Sequence, residues 1–351
     1  MPIMPKTMQA AVLTKLNNPL QVWKVEMPGS LDVGQVLVKV HFSGICGSQL
    51  GEIDGAKGED RYLPHLLGHE AAGTVLDIGP GVRHVTVGDK VVLHWRKGLG
   101  IEANVPDFRY HGAKVNAGSV TTFNEFAIVA ENRLTAIPAD SDLEIAALFG
   151  CAVTTGFGVV QNNAKVRIGE SVVVFGAGGI GLNIVQAASL VSAYPIIAVD
   201  AYKSKLELAS QLGATHVIDV NDGDARQAIM DIVNGAGVDV FIDNTGQPNI
   251  IEMGYAITKS QGRVTLVGVP RKGNNITINS LPLHFNKVLS GSHGGDSVPN
   301  EDIPRLLALY RADRLKLSKL ITSFYSLERI NEAIGDMRTG AVTGRCLIRF
   351  D

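Results

Sequence analysis

Cysteine is scarce in this chain. Only 3 occur in 351 residues, at Cys46, Cys151 and Cys346. An odd, widely spaced set excludes a disulfide framework and points to free thiols or metal ligands in a reducing compartment. Long apolar runs are missing as well. No stretch reaches the roughly 18 consecutive apolar residues of a membrane span. Neither sign of charge dominates: 32 Lys and Arg stand against 34 Asp and Glu. That balance argues against a general nucleic-acid binder and against a polybasic membrane-surface protein. The opening segment, MPIMPKTMQAAVLTK, has no apolar core of the kind a secretory leader carries, so a cytoplasmic location is expected. Internal repeats, low-complexity tracts and long linkers are absent too.

Glycine, by contrast, is plentiful at 39 residues, and three of them organise the chain. Val172–Phe175 is an apolar, β-branched run expected to be a strand buried on both faces. Gly176, Gly178 and Gly181 follow at G-x-G-x-x-G spacing. Leu182–Val191 then shows helical periodicity, and Ile196–Val199 is a second strand that ends at Asp200. Each glycine has a physical task. Gly176 permits a tight turn, Gly178 lets a pyrophosphate approach the backbone, and Gly181 lets helix and strand pack closely. The helix start offers unpaired N–H groups to phosphate. Asp200 lies about 20 residues past the glycines, where a carboxylate accepts hydrogen bonds from an adenosine ribose and repels a 2′-phosphate. The cofactor expected is therefore NAD, and no arginine adjoins Asp200.

Length and a 45% hydrophobic fraction suit two domains. The first part is β-rich. Residues 8–29 alternate as two antiparallel strands, Gly34–Ser43 is another strand, and Glu70–Val92 holds several short ones. Arg96–Gly118 has little periodicity and reads as a long loop. Asp142–Phe149 and Cys151–Gln161 have helical patterns. From Val172 onward strands and helices alternate, which implies a parallel, doubly wound sheet. Asn275–Asn279 and Lys287–Ser290 read as further strands, Ile303–Tyr310 and Leu327–Met337 as helices, and Gly344–Phe350 as a closing strand that returns to the first domain.

Cys46, His69 and Cys151 form the second candidate constellation. Two thiolates and an imidazole suit a tetrahedral zinc with one position open, the arrangement of catalytic zinc. Their spacing alone leaves open two buried thiols and an ordinary histidine.

The segments GICGSQ, GHEAAGTV, VGDKVV, the cysteine before TTGFG, and VVVFGAGGIG occur in this order. Together, over nearly the whole chain, they resemble the zinc-dependent medium-chain alcohol dehydrogenases. The resemblance implies an α/β fold with a GroES-like, β-rich catalytic domain at 1–152 and 294–351. A Rossmann dinucleotide-binding domain would occupy 153–293. It implies one catalytic zinc on Cys46, His69 and Cys151, acting as a Lewis acid on an alcohol oxygen while a hydride passes to or from NAD. Ser48 matches the residue that begins proton removal, and Glu70 matches a carboxylate close to the metal. Thr155, Ile180, Val267 and Val269 match residues around the nicotinamide. Lys205 matches a lysine near the adenosine ribose, and Arg345 an arginine at the pyrophosphate. Trp95 matches a position that lines the substrate pocket. A homodimer or homotetramer is also implied, paired through strands after VGVP.

Three positions depart from the family pattern. The segment after Trp95 has no cysteine for a structural zinc. Gln49 replaces an aspartate that supports the metal-binding histidine, and Gly51 replaces a histidine that passes the proton on. Arg96, Lys97, Arg109, His111 and Lys114 face only Glu102 and Asp107 in that same segment. Their excess suggests a positive field for a polar, sugar-derived or anionic alcohol. Two rival readings share the fold. A zinc-free quinone or enoyl reductase would lack the three ligands, and a non-catalytic cofactor-binding protein would have lost one of them.

Overall fold

The computed structural model describes residues 4–351 and divides into two units, 1–151 with 298–351 and 152–297. The first three residues of the segment read for a leader lie outside the described part.

The chain begins with strands β1 (Thr7–Leu13), β2 (Gln21–Glu26) and β3 (Gln35–Gly44), then the short helix α1 (Gly47–Ile53). Strands β4 (His65–Leu66), β5 (Glu70–Ile78), β6 (Lys90–His94), β7 (Phe108–Tyr110), β8 (Ala113–Val115), β9 (Phe126–Ala130) and β10 (Leu134–Ile137) follow, with α2 (Leu143–Ala147) after them. The second unit opens with α3 (Ala152–Gly158). It continues with β11 (Val172–Phe175), α4 (Gly179–Leu190), β12 (Ile196–Asp200), α5 (Lys203–Gln211), β13 (His216–Asp219) and α6 (Ala225–Ile232). It closes with β14 (Val238–Asp243), α7 (Pro248–Ile257), β15 (Thr258–Leu266), α8 (Leu281–His284) and β16 (Val288–Gly291). The chain then returns to the first unit with α9 (Pro299–Arg311), β17 (Ile321–Tyr325), α10 (Ile330–Thr339) and β18 (Arg345–Arg349).

Two sheets build the first unit. One runs β4-β1-β2-β7-β8. The other runs β10-β6-β5-β3-β18-β17, with β9 also on β3. β3 is the hub, because its 10 residues pair with β5, β9 and β18. The alternation read from residues 8–29 is the antiparallel β1–β2 pair, in register from Thr7 opposite Glu26 to Val12 opposite Gln21. Inward side chains from these strands and from α10, among them Val38, Val40, Leu93, Val129 and Ile334, form one continuous core. The residues 96–118 differ from the loop expected of them. Arg109 pairs opposite Glu26, so a small β7–β8 hairpin extends the sheet beyond β2. Phe108 and Val115 anchor it in an apolar cluster with Met8 and Val25. Two apolar side chains among many turn formers are too sparse to show as a period.

The second unit is a six-stranded parallel sheet in the order β13-β12-β11-β14-β15-β16, the doubly wound order that reverses direction at β11. β11 is buried at all four positions, as a central strand covered on both faces must be. Asn275–Asn279 is not a strand. Thr277 N–H donates to Glu252 and the Asn279 carbonyl accepts from the Tyr255 hydroxyl, so side chains of α7 take the backbone groups a ladder would have used.

Candidate functional site

Three separate elements bring the metal-type side chains together. Cys46 caps α1 with extended backbone angles, and the Gln49 N–H donates to its carbonyl. His69 lies between Gly68 and the start of β5. Gly68 has φ +92°, a conformation that favours glycine, and a Cβ there would come 2.7 Å from the Phe123 nitrogen. Cys151 follows Gly150, where any Cβ would lie 2.8 Å from the Glu70 Cα. Only glycine lets the Cys151 segment come this close to β5. The three ligand atoms lie within 4.8 Å of one another. A tetrahedral zinc with bonds of about 2.0–2.3 Å needs ligand atoms about 3.3–3.8 Å apart, so the set fits that ion with little adjustment. Cys46 and Cys151 are buried and His69 is half-buried. The Cys46 thiol is held well below its ordinary range, first by its hydrogen bond with Cys151. His69 and Arg345 add to this and burial opposes it. A site that favours thiolate before any cation arrives is suited to a soft divalent metal.

Around the ligands the sequence left several partners unread. Gln49 is buried, and its Oε1 accepts from the Gly68 N–H at 2.5 Å. Its Nε2 donates to Glu52 Oε2 at 2.9 Å. The amide therefore braces the backbone next to His69 and is itself braced by a carboxylate from the same helix. On the other side, the Glu70 carbonyl accepts from Ser43 Oγ at 3.1 Å, and that hydroxyl meets Thr122 Oγ1 at 2.7 Å. Ser48 is half-buried in the first turn of α1.

In the second unit, the glycine turn sits at the C-terminal end of β11 and opens α4. Gly176 has φ +96°. A Cβ on Gly178 would meet nothing within 4 Å, whereas one on Gly181 would run into the Gly176 carbonyl. The side of the turn at Gly178 is thus open to a ligand while the Gly181 side is closed by helix packing. Asp200 ends β12. Its Oδ2 accepts from Ala177 N–H at 2.7 Å and its Oδ1 from Ala201 and Tyr202 N–H. The carboxylate ties the glycine turn to the next strand. Both line a cavity of about 510 Å³ with Val220, Arg226, Thr245 and Met253. A volume of this size is in the range of small-ligand pockets.

Two models of known families match. One described as "Zinc-binding dehydrogenase" covers residues 179–312, and one described as "Alcohol dehydrogenase GroES-like domain" covers 32–139. The NDMA-dependent alcohol dehydrogenase of Amycolatopsis methanolica is 32% identical over 95% of this chain and 96% of its own length. The chain belongs to the zinc-dependent medium-chain alcohol dehydrogenase family. An S-(hydroxymethyl)glutathione dehydrogenase of Synechocystis is likewise 32% identical, over 95% of this chain and 97% of its own. The crystal structure of benzyl alcohol dehydrogenase from Acinetobacter calcoaceticus superposes with a TM-score of 0.89. It is 30% identical and covers 99% of this chain and 100% of that one.

Within this family member, the remaining sequence-derived site residues fall as follows. Thr155 is buried in α3, and Ile180 is half-buried in the first turn of α4. Val267 is half-buried just past the C-terminal end of β15, and Val269 is 56% exposed. Lys205 holds its ammonium 4.5 Å over the Tyr202 ring at the start of α5. Arg345 is not open to a ligand in this structure. Its guanidinium is buried against the Glu70 carboxylate, so the side chain matched to a pyrophosphate contact makes an ion pair beside the metal ligands. Trp95 follows the β6 residue paired with Glu70, and Arg96 lies 5.8 Å over its ring. Two of the four lysines and arginines expected to give residues 96–118 a positive field are paired with acids of the same segment. Lys97 pairs with Glu102 at 2.7 Å and Arg109 with Asp107 at 2.8 Å. His111 sits at the hairpin turn with φ +49°, against Tyr110. The segment has no cysteine, and buried Glu131 fastens its start: the carboxylate accepts from the N–H groups of Arg83, His84 and Ile101. Among the described residues, Cys46, His69 and Cys151 are the one group arranged to hold a metal. No single described helix is long and apolar enough to cross a membrane.

Proposed function

We propose that this chain is an NAD-linked, zinc-dependent dehydrogenase that interconverts an alcohol and its aldehyde or ketone. The observation that carries the reading is the meeting of Cys46, His69 and Cys151 within 4.8 Å, in a chain that also forms an open glycine turn beside Asp200. When bound on these three side chains, zinc supplies a Lewis acid that polarises the substrate oxygen. The chain's own residues do the rest. Ser48 would accept a hydrogen bond from the substrate hydroxyl and so begin removal of its proton, and the nicotinamide of NAD would supply the hydride acceptor or donor. Thr155, Ile180, Val267 and Val269 hold that ring, and Lys205 supports the adenosine end. Asp200 binds the ribose hydroxyls and selects NAD over NADP by repulsion. Glu70 with Arg345 fixes the charge behind His69.

The substrate is a polar alcohol read by Trp95 and Arg96. Their support is position: they extend from the β6 end that pairs with Glu70, whereas Arg109 lies on Asp107 at the hairpin. The protein works as a homodimer in the cytoplasm. β16 has no neighbour on its outer side among the described residues, and Leu281, Phe285 and Val288 beside it are 61%, 57% and 47% exposed. An apolar sheet edge of this kind calls for a second copy.

A panel of hydroxylated, anionic, aliphatic and benzylic alcohols, assayed with NAD and NADP beside metal analysis, tests the reading. Expected are one zinc per chain, a clear preference for NAD, and loss of preference for polar alcohols in Arg96→Ala. A metal-free preparation that turns over alcohols, or a preference for NADP, refutes it. A monomeric mass by light scattering refutes the dimer.

A further inference from the structure

Helix α1 carries Ser48 in its first turn and Glu52 one turn later. Side chains four apart share a helix face, with Cβ atoms about 5–6 Å apart. Glu52 is half-buried and leans back toward the helix start, as helical side chains do: its Oε2 accepts from Gln49 Nε2 at 2.9 Å. The bond engages one carboxylate oxygen at the turn that holds Ser48. The Ser48 hydroxyl has no hydrogen-bond partner among the described residues. Gly51 lies between the two without a side chain. Apart from its chain neighbours and its own helix backbone, a Cβ there would meet only Ala56 Cβ, at 3.6 Å, so the surface from Ser48 to Glu52 is clear. The other acids that follow Ser48 are placed elsewhere. Asp54 pairs with Arg338, Asp60 pairs with His65 at 2.9 Å, and Glu59 is exposed in the loop after the helix. Glu52 has no cationic partner among the described residues.

A hydroxyl that takes a proton from an alcohol must hand its own to a base, or no proton leaves the site. The histidine that passes this proton on elsewhere in the family is replaced here by Gly51. We infer that Glu52 is the base that receives the proton from Ser48. This rests on the reading that Ser48 bonds the substrate hydroxyl. The alcohol O–H bond breaks as an O–H bond forms on Ser48 Oγ. The proton Ser48 already held leaves at once, directly or across one water in the space over Gly51, and forms an O–H bond on Glu52 Oε1. The alcohol becomes an alkoxide and the carboxylate a carboxylic acid, so charge is conserved and nothing is oxidised in this step. Glu52 then releases the proton to solvent, which its half-exposed position allows. The reverse sequence delivers a proton when a carbonyl is reduced.

The test separates this role from the bracing of Gln49. Glu52→Gln keeps an oxygen for the Gln49 amide and removes the base. The zinc-loaded full chain is mixed with NAD and trifluoroethanol, whose electron-poor carbon gives up hydride poorly, and the released proton is followed with an indicator dye in weak buffer. The readout is proton removal without turnover. Release should be about a hundredfold slower in Glu52→Gln than in the wild type, the lower end of what a positioned base supplies. Zinc content and NADH affinity should stay equal, and with an oxidisable alcohol the loss should fall on kcat rather than KM. Glu52→Ala at saturating zinc should be slow as well, and added formate should restore its release by occupying the vacated space. Release at the wild-type rate in Glu52→Gln overturns the inference. Slow release in Glu52→Ala that formate does not restore overturns it too, and assigns Glu52 to the bracing of Gln49 alone. A wild type that binds NADH but releases no proton with trifluoroethanol overturns the reading of Ser48 itself.

Discussion

The guanidinium of Arg345 rests on the carboxylate of Glu70, the residue after His69, and the two are 3% and 0% exposed. Arg345 comes from β18 and Glu70 from β5, the two strands that flank β3. They meet across Gly44, where a Cβ would lie 2.8 Å from the Glu70 carboxyl carbon and 2.9 Å from Arg345 Nη2. Removing one partner of such a pair strands the other charge in a dry interior. Arg345→Met should therefore destabilise the first unit by about 3–5 kcal/mol in urea unfolding, and Glu70→Gln combined with Arg345→Met should recover most of it. A single-variant loss under about 1 kcal/mol would show that the pair is solvated.

Gln49 should act on the metal without touching it. Its amide holds the Gly68 N–H and is held by Glu52. Gln49→Leu removes both bonds at similar volume, and Glu52→Ala removes only the outer one. Partners that orient a ligand commonly affect metal affinity about 10- to 100-fold. Zinc transfer to a chromogenic chelator should accelerate by that order in Gln49→Leu and by less in Glu52→Ala. Equal rates in all three proteins would sink the idea.

His94 should make the fold acid-labile. It is buried, with Nδ1–H donating to the Arg96 carbonyl at 2.7 Å and Nε2 accepting from the Thr135 hydroxyl at 2.9 Å. Burial drives its pKa from 6.5 to about 4, and the nearby Arg133 charge adds to the fall. The unfolded chain then binds a proton near pH 6.5 that the folded chain refuses until about pH 4. The stability His94 provides is complete above 6.5 and is lost as pH falls toward 4, amounting to about 3 kcal/mol. Urea midpoints at pH 7.5, 6 and 5 should fall more steeply for the wild type than for His94→Gln. Parallel profiles would count against it.

Glu131 should do for residues 96–107 what a structural metal does elsewhere in the family. Burial alone would raise its pKa, yet N–H donation from Arg83, His84 and Ile101 outweighs that and holds the carboxyl below its usual range. Arg133 adds to the fastening through the Trp95 carbonyl and Glu102. Glu131→Ala leaves three donors unmet and should cost about 2–4 kcal/mol. Limited proteolysis should then cut within residues 96–107, while elemental zinc stays at one per chain. An uncut segment, or a second zinc in the wild type, would contradict this account.

Contiguous features were legible in the sequence by itself. The strand, glycine turn, helix and acid of Ser171–Asp200 lie in one short stretch, and their periods and backbone demands are local properties of neighbouring residues. The β1–β2 alternation and the alternation of strands and helices after Val172 are local in the same sense. The metal ligands were legible as residue types and through the family motifs, because each sits in its own conspicuous glycine-containing segment. What only the tertiary structure decided is which distant side chains meet. Asn275–Asn279 alternates like a strand, yet Glu252 and Tyr255 of α7 take its backbone groups. Arg345 carries the same charge whether it faces a pyrophosphate or Glu70, and the strand order across β3 places it on Glu70. Gln49 and Glu131 look like polar turn residues in the sequence. Their roles come from burial against backbone N–H groups contributed by other elements, and no local period records that.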